Sequence, residues 1–299
     1  SGVPSYGTVA NMLQRDALSA LLADLVPDIR VHSLTRLATR SDHVVFEVNG
    51  DLILRVCREE AGDAHTASAE REAALLDVIG EVSPLPVPVP LAADTDWGAI
   101  VYRKLPGTPL SELPAHDPRA AARSLASLID ALHHAPSHLL AGLAEVDEYP
   151  MDAWRADARR DYDAVADRLP RTARARVEGF LAAPPPPASE VAVFCHNDLG
   201  AEHVLVDESG AITGVIDWSD AALADPARDV ARILRDLGPG VFQAVLAQHP
   251  AAWDPAARER AVFYARCALL EDLVYGLNTG TRRYADAALA HLPWTFATA

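Results

Sequence analysis

Lysine is nearly missing from this chain. Lys104 is the only one, and every other basic residue is arginine. Any permanently charged cationic side chain elsewhere is therefore a guanidinium, with its planar fork. Cysteine is also scarce: Cys57, Cys195 and Cys267 are odd in number, far apart and without CxxC spacing. That excludes a disulfide framework or a locally spaced zinc motif and points to a reducing compartment. No apolar run reaches the roughly eighteen residues of a membrane span, and the start shows no charged-then-apolar leader pattern, so a cytoplasmic protein is expected. Positive charge is in deficit, with 26 Lys and Arg against 42 Asp and Glu and a formal net charge of -16. A nucleic-acid or anionic-membrane binder would carry a basic stripe, and none is visible. The balance permits a cationic small molecule as partner, and a monomer is expected.

What is present describes a globular protein. Hydrophobic residues make up 50% and charged residues 23% of 299 positions, enough for one large domain or two lobes with a buried core. The apolar spacing of Val9, Met12, Leu13, Leu18, Leu21 and Leu22 predicts a helix over 8–25. Two β-rich runs, His43–Val48 and Leu52–Val56, flank Asn49-Gly50, the strongest short hairpin signal. A helix is predicted over 66–80, a proline-punctuated stretch from Pro84 to Pro90, and a short strand over Ala99–Tyr102. From about residue 118 long helical patterns dominate. One covers Ala120–His134, and Pro170 is expected to split Met151–Leu181 in two. Strands are predicted over 191–195, Val204–Val206 and Ile212–Ile216, followed by helices broken by Pro239, Pro250 and Pro255. The predicted class is α+β in two lobes: 1–103, a connecting segment 104–110, and 111–299.

The densest chemistry lies between Val193 and Asp229. A buried-type strand ends in His196-Asn197-Asp198, and His203 follows shortly after. A hairpin then ends in Ile216-Asp217-Trp218, and Asp225-Pro226-x-x-Asp229 opens a helix. Phosphoryl transfer needs an in-line acceptor oxygen and cations that neutralise the phosphates, with little covalent help from protein. A carboxylate at one strand end can orient the acceptor hydroxyl and take its proton, and two ligands on the adjoining hairpin can hold Mg²⁺. Asp198 is the candidate base, and His203 and Asp217 are the candidate metal ligands.

This spacing matches the catalytic signature HxDxxxxN followed by an Asp-led metal motif. More specifically, the chain resembles the aminoglycoside and macrolide phosphotransferase family, bacterial antibiotic kinases with a eukaryotic-protein-kinase-like fold. The resemblance rests on His196-Asn197-Asp198-Leu199, His203-Val204-Leu205-Val206-Asp207, Gly214-Val215-Ile216-Asp217-Trp218, Asp225-Pro226-Ala227-Arg228-Asp229 and Tyr102-Arg103-Lys104-Leu105-Pro106-Gly107. It extends to the Asn49-Gly50 hairpin and to Arg71-Glu72, and spans roughly 35–280. It implies ATP or GTP as donor, a β-rich N-terminal nucleotide lobe and a mostly helical C-terminal lobe. It further implies that Asp198 is the base, Asp217 the principal Mg²⁺ ligand, and His196 and Asp229 anchors of the catalytic loop. Glu72 would pair with the residue holding the α/β-phosphates. Ser41 lies in the loop over the phosphates, and the backbone of Arg103, Lys104 and Leu105 would receive the nucleobase. Tyr102 would then stand at the gatekeeper position.

Two positions depart from the general kinase pattern. His203 stands where most kinases have Asn, as in some macrolide and 2″-aminoglycoside enzymes. Arg55 stands where the third strand normally carries its phosphate-binding lysine, and arginine and lysine differ in geometry. A catalytically silent nucleotide binder is therefore the alternative to an active kinase, and sugar, amino alcohol and peptide-antibiotic kinases are alternatives for the acceptor. Glu271, Asp272 and Tyr275, on an apolar helix of the second lobe, and Asp220, just past the metal motif, are candidate contacts to a cationic acceptor.

Overall fold

The computed structural model describes residues 15–39, 43–58, 68–113, 117–248 and 253–297. The chain divides into two compact units, one of Ser1–Val82 with Pro86–Pro106 and the other of Ser83–Leu85 with Gly107–Ala299. No helix among the described residues is long and apolar enough to cross a membrane.

The first unit is an antiparallel sheet with helices packed on it. Helix α1 (Arg15–Leu25) precedes β1 (Leu34–Thr39), β2 (His43–Val48) and β3 (Leu52–Cys57), then α2 (Ser68–Val82), β4 (Pro90–Asp94) and β5 (Ala99–Arg103). The sheet order is β1-β2-β3-β5-β4. A three-residue turn, 49–51, joins β2 to β3, with φ of 56° at Asn49 and 88° at Gly50, the left-handed backbone that Asn and Gly adopt most readily. The Asn49 side chain completes the turn by accepting from His32 N and Ser33 N and donating to Arg30 O. Strand periodicity then sorts the faces. Val44, Phe46, Val48, Leu52, Leu54, Val56, Ala99 and Val101 form one core with Leu18, Leu21 and Leu22 of α1.

Two expectations shift here. The N-terminal helix is described from Arg15, and the rest of its predicted range lies outside the described residues. The prolines before residue 91 do not mark only irregular chain: β4 starts at Pro90, at an edge of the sheet. An edge position is where a missing N–H costs no ladder bond.

The second unit is mostly helical. Strand β6 (Thr108–Pro109) leads to α3 (Pro118–His133), α4 (Ser137–Leu140), β7 (Glu145–Val146), α5 (Met151–Val165) and α6 (Arg171–Ala182). Asp117 caps α3 by accepting from Arg119 N and Ala120 N, with Pro118 at the first helical position. Pro170 sits just ahead of α6, so the long pattern from Met151 is split there as expected. Strands β8 (Val193–Cys195), β9 (Val204–Val206), β10 (Ile212–Val215) and β11 (Ala222–Ala224) carry the motif segments. They form two small sheets, β10-β9-β6 and β7-β11-β8. Helices α7 (Ala227–Gln248), α8 (Ala257–Thr279) and α9 (Arg282–Thr295) follow, with α7 kinked at Gly238, φ 79°, immediately before Pro239.

Two contacts fix this helical layer. Arg260 of α8 is 1% exposed and grips both Asp225, at 2.6 Å, and Asp254. This ties the Asp225-Pro226 turn to α8. Gly276 lets α8 approach α9, because a Cβ there would lie 2.4 Å from Ala285 N. That contact is backbone and cannot rotate away. Gly276→Ala is therefore expected to cost about 3 kcal/mol, read as a lowered urea midpoint at unchanged slope. An unchanged midpoint would show that the helices separate freely at this crossing.

Candidate active site

The loop between β8 and β9 holds Asp198, and the segment after β10 holds Asp217. Both lie in the second unit, and His203 stands between them. Its Nδ1 is 3.5 Å from Asp198 Oδ2, and its Nε2 is 3.4 Å from Asp217 Oδ2. The two carboxylates are therefore one imidazole apart.

Backbone conformation puts them there. Asn197 and Asp217 adopt φ of 67° and 63°, the left-handed region that Asn and Asp tolerate better than most residues. Each turns the chain sharply at a candidate site position, and such strain collects at functional sites. Asn197 is held from two sides: its N–H donates to Asp229 Oδ1 at 3.0 Å, and its Nδ2 donates to Asp220 O at 2.9 Å. His196 is fully buried and joins the loop to the Asp217 segment, donating from Nε2 to Ile216 O at 3.1 Å and accepting the Asp198 N–H on Nδ1 at 3.3 Å. Burial lowers its proton affinity, and His203 lowers it further, which keeps it neutral in this role. Trp218 packs on the His196 ring at 4.4 Å.

The electrostatics come largely from α7. Arg232 Nε lies 3.0 Å from Asp198 Oδ1. Burial pushes the Asp198 carboxyl up, but Arg232, His203, Arg235 and His196 outweigh it and hold the group well below the usual carboxylate range. Behind Arg232, Arg235 pairs with Asp236 and Asp272, both at 2.6 Å. Asp236 Oδ2 in turn accepts Ala201 N at 2.8 Å and pins the far end of the loop. Asp272 is buried enough that its carboxyl is pushed up to about 7 despite Arg235 and Arg232.

The donor set of His203 suits a metal. Nδ1 donates to the Asp198 carbonyl at 2.8 Å, which leaves a lone pair on Nε2. That nitrogen is buried, has no hydrogen-bond partner, and faces Asp217 Oδ2. Asp217 Oδ1 is oriented by Ser219 Oγ at 2.9 Å. A lone pair and a carboxylate oxygen face to face call for a cation or a proton between them. Glu202 Oε1 lies 3.9 Å from the same nitrogen, and Tyr284 OH donates to Glu202 Oε2 at 2.6 Å.

The remaining sequence candidates fall as follows. In the first unit, Arg55 and Glu72 form an ion pair between β3 and α2. Arg103 ends β5 and is exposed, Leu105 is partly buried, and Lys104 donates from its backbone to Asp51 O at 2.9 Å while its ammonium pairs with Glu47. Ser41 lies outside the described residues. In the second unit, Asp229 is fully buried, the Asp220 side chain is exposed, and Glu271 is exposed with its carboxylate 4.0 Å from Arg232 Nη2. Asp272 is committed to Arg235, and Tyr275 packs edge-on against Tyr284 at 5.1 Å. Sequence reasoning missed Arg232, Arg235, Asp236 and Glu202. A helix-face signal existed: Asp229, Arg232 and Asp236 recur at i, i+3 and i+7.

The family described as "APH: Phosphotransferase enzyme family" matches residues 33–264, most of the chain. The chain belongs to this family. A viomycin phosphotransferase of Streptomyces vinaceus is 30% identical over 242 residues, covering 78% of this chain and 82% of the relative. Among solved structures, a macrolide 2'-phosphotransferase, MphH from Brachybacterium faecium, is 26% identical with a TM-score of 0.60, covering 93% of this chain and 98% of that one. The GDP and kanamycin complex of APH(2")-IIia gives a TM-score of 0.69 at 19% identity, covering 93% of this chain and 97% of that one, a likeness of fold. The α+β, protein-kinase-like fold and the assignment as a phosphotransferase with an alcohol acceptor, a kinase, both stand.

Proposed function

We propose that this phosphotransferase moves the γ-phosphate of ATP or GTP to a hydroxyl of a cationic, antibiotic-like small molecule. Asp198 orients the hydroxyl, and Asp217 and His203 hold Mg²⁺. The observation that carries this reading is the line Asp198, His203, Asp217, with the unpartnered His203 Nε2 aimed at Asp217. Mg²⁺ would supply neutralisation of the phosphate oxygens as charge develops on them. Asp198, held ionised by Arg232, accepts a hydrogen bond from the acceptor hydroxyl and fixes its direction of attack. A carboxylate stabilised so strongly is a weak base, and it takes the proton late, once the hydroxyl oxygen has begun to bond to phosphorus and has become acidic. Relatives solved with GDP or ADP support a nucleotide donor. In the first unit, Arg55 with its Glu72 partner is the proposed phosphate-binding cation in place of lysine, and the backbone at 103–105 the nucleobase contact. The presence of both Asp198 and Asp217 favours an active enzyme over a silent nucleotide binder, and Arg55 keeps the positive charge that pairs with Glu72.

For the acceptor, viomycin enters the panel beside aminoglycosides and macrolides, because the relative named for it shares 30% identity. The test is an acceptor screen with ATP and with GTP, read as gain of one phosphoryl group by mass spectrometry, with Asp198→Ala as the blank. Transfer to a hydroxyl of at least one cationic member is expected. Nucleotide binding with no transfer to any member would overturn the acceptor class. Glu271, exposed on α8, is the acidic side chain proposed to meet the acceptor. Glu271→Gln should raise the acceptor KM roughly two- to fivefold with kcat nearly unchanged, the size of a solvent-exposed charge contact. An unmoved KM removes Glu271 from the site.

A further inference from the structure

Below the catalytic loop lies a second group of potential metal ligands: His133 from the end of α3, Cys195 from the end of β8 and Asp229 from the first turn of α7. We propose that these three residues form a site for a thiophilic divalent cation, Zn²⁺ before others, separate from the Mg²⁺ position at Asp217 and His203.

Geometry is the first support. His133 Nε2 is 3.4 Å from Asp229 Oδ2 and 3.8 Å from Cys195 Sγ, and one ligand atom from each residue lies within 4.8 Å of the others. Zinc at tetrahedral angles, with its usual bonds to nitrogen, oxygen and sulfur, separates N from O by about 3.4 Å and N from S by about 3.6 Å. These atoms already stand near the corners such an ion needs. A direct hydrogen bond would draw the imidazole and carboxylate closer than this.

The second support is an unsatisfied atom. Asp229 is fully buried, and its Oδ2 has no hydrogen-bond partner. Its Oδ1 is occupied by Asn197 N–H, so the free oxygen is the one turned toward His133 and Cys195. A buried carboxylate oxygen without a well-formed hydrogen bond, facing an imidazole nitrogen at 3.4 Å and a thiol, is costly to leave as it is and suits a cation. The Cys195 thiol, also fully buried, faces His133 and the Asp229 carboxylate, with the backbone oxygens Asp225 O at 3.6 Å and Ala224 O at 4.0 Å as its other neighbours.

Charge is the third. A thiolate and a carboxylate together cancel a divalent ion, so the filled site is neutral in a buried setting where a net charge would be expensive. Binding runs as Cys195–SH plus Zn²⁺ to Cys195–S⁻–Zn²⁺ plus one proton released to solvent. The donor set also selects: a sulfur and an imidazole favour zinc over magnesium, which prefers oxygen. A zinc site with three protein ligands leaves its fourth position to water or another small ligand. Because Asp229 Oδ1 keeps its bond to Asn197, the ion adds to the existing tether of the loop that carries Asp198.

The experiment uses the full-length protein stripped with a chelator and titrated with Co²⁺, then Zn²⁺, in the presence of excess Mg²⁺. One equivalent of Co²⁺ should produce a thiolate-to-cobalt charge-transfer band that Mg²⁺ does not displace and Zn²⁺ does. Cys195→Ser should abolish the band and weaken zinc binding more than tenfold, while Cys267→Ser, at the other buried free thiol, should leave both unchanged. Should Cys195→Ser fail to fold, His133→Gln serves on the same readout and should weaken the band. No thiolate band in the unmodified protein, or a band that persists in Cys195→Ser, overturns the site.

Discussion

Asp198→Asn should lower kcat by roughly 10²- to 10⁴-fold while leaving the nucleotide Kd within a factor of two. That loss corresponds to about 3–5 kcal/mol of transition-state stabilisation. The substitution is nearly isosteric, so it separates charge from shape. Asn keeps an oxygen within reach of Arg232 Nε, now 3.0 Å from the carboxylate, but it can no longer receive a proton. It also leaves the Arg232 and Arg235 guanidiniums short of one negative partner beneath the site. The measurement is steady-state kinetics on the best acceptor together with a nucleotide titration. A kcat within tenfold of the unmodified enzyme would show that the acceptor hydroxyl is oriented and deprotonated elsewhere. Glu202 would then be the first residue to examine, since it lies beside the same imidazole.

Asp217→Ala should be at least as severe, with kcat down about 10³-fold or more and the Mg²⁺ dependence of nucleotide binding flattened. Asp217 Oδ2 faces the unpartnered His203 Nε2, and its Oδ1 is set by Ser219. Removing it takes away the charged half of the pair and leaves a neutral imidazole, a poor ligand for a hard cation. His203→Asn is the informative companion, because it substitutes an oxygen donor and should retain more activity with Mg²⁺ than His203→Ala. The two predictions differ in signature. Loss at 198 spares metal-dependent nucleotide binding, and loss at 217 does not. Equal nucleotide affinity with and without Mg²⁺ in the unmodified protein would argue against a metal at 217.

Elements whose signal is local were legible in the chain. Asn49-Gly50 dictates its hairpin because Asn and Gly are the residues that most easily adopt the left-handed backbone its turn requires. The segment from His196 to Asp229 was legible because the residues are close in sequence and their spacing mirrors two strand ends and a helix start. What escaped reading depends on distant packing. Strand β4 opens on a proline, and only its place at a sheet edge makes that acceptable. Arg232 and Arg235 look like ordinary charges of an amphipathic helix until α7 is set against the catalytic loop and α8. Tyr284 reaches Glu202 across 82 positions. The His133, Cys195 and Asp229 cluster joins three elements with no spacing rule between them. Acidic residues near the acceptor end were visible as a pair, Glu271 and Asp272. The fold separates them, leaving the first exposed and tying the second to Arg235.

The guanidinium at Arg55 has a practical corollary for chemical probes. It offers no nucleophilic lone pair at neutral pH. Acylating or imine-forming warheads built against the strand amine of ordinary kinases find no amine to attack on β3. The solitary ε-amine, at 104, is engaged by Glu47. Exhaustive acylation should therefore add at most one side-chain amide, and that adduct would be a built-in reporter of a single, known position.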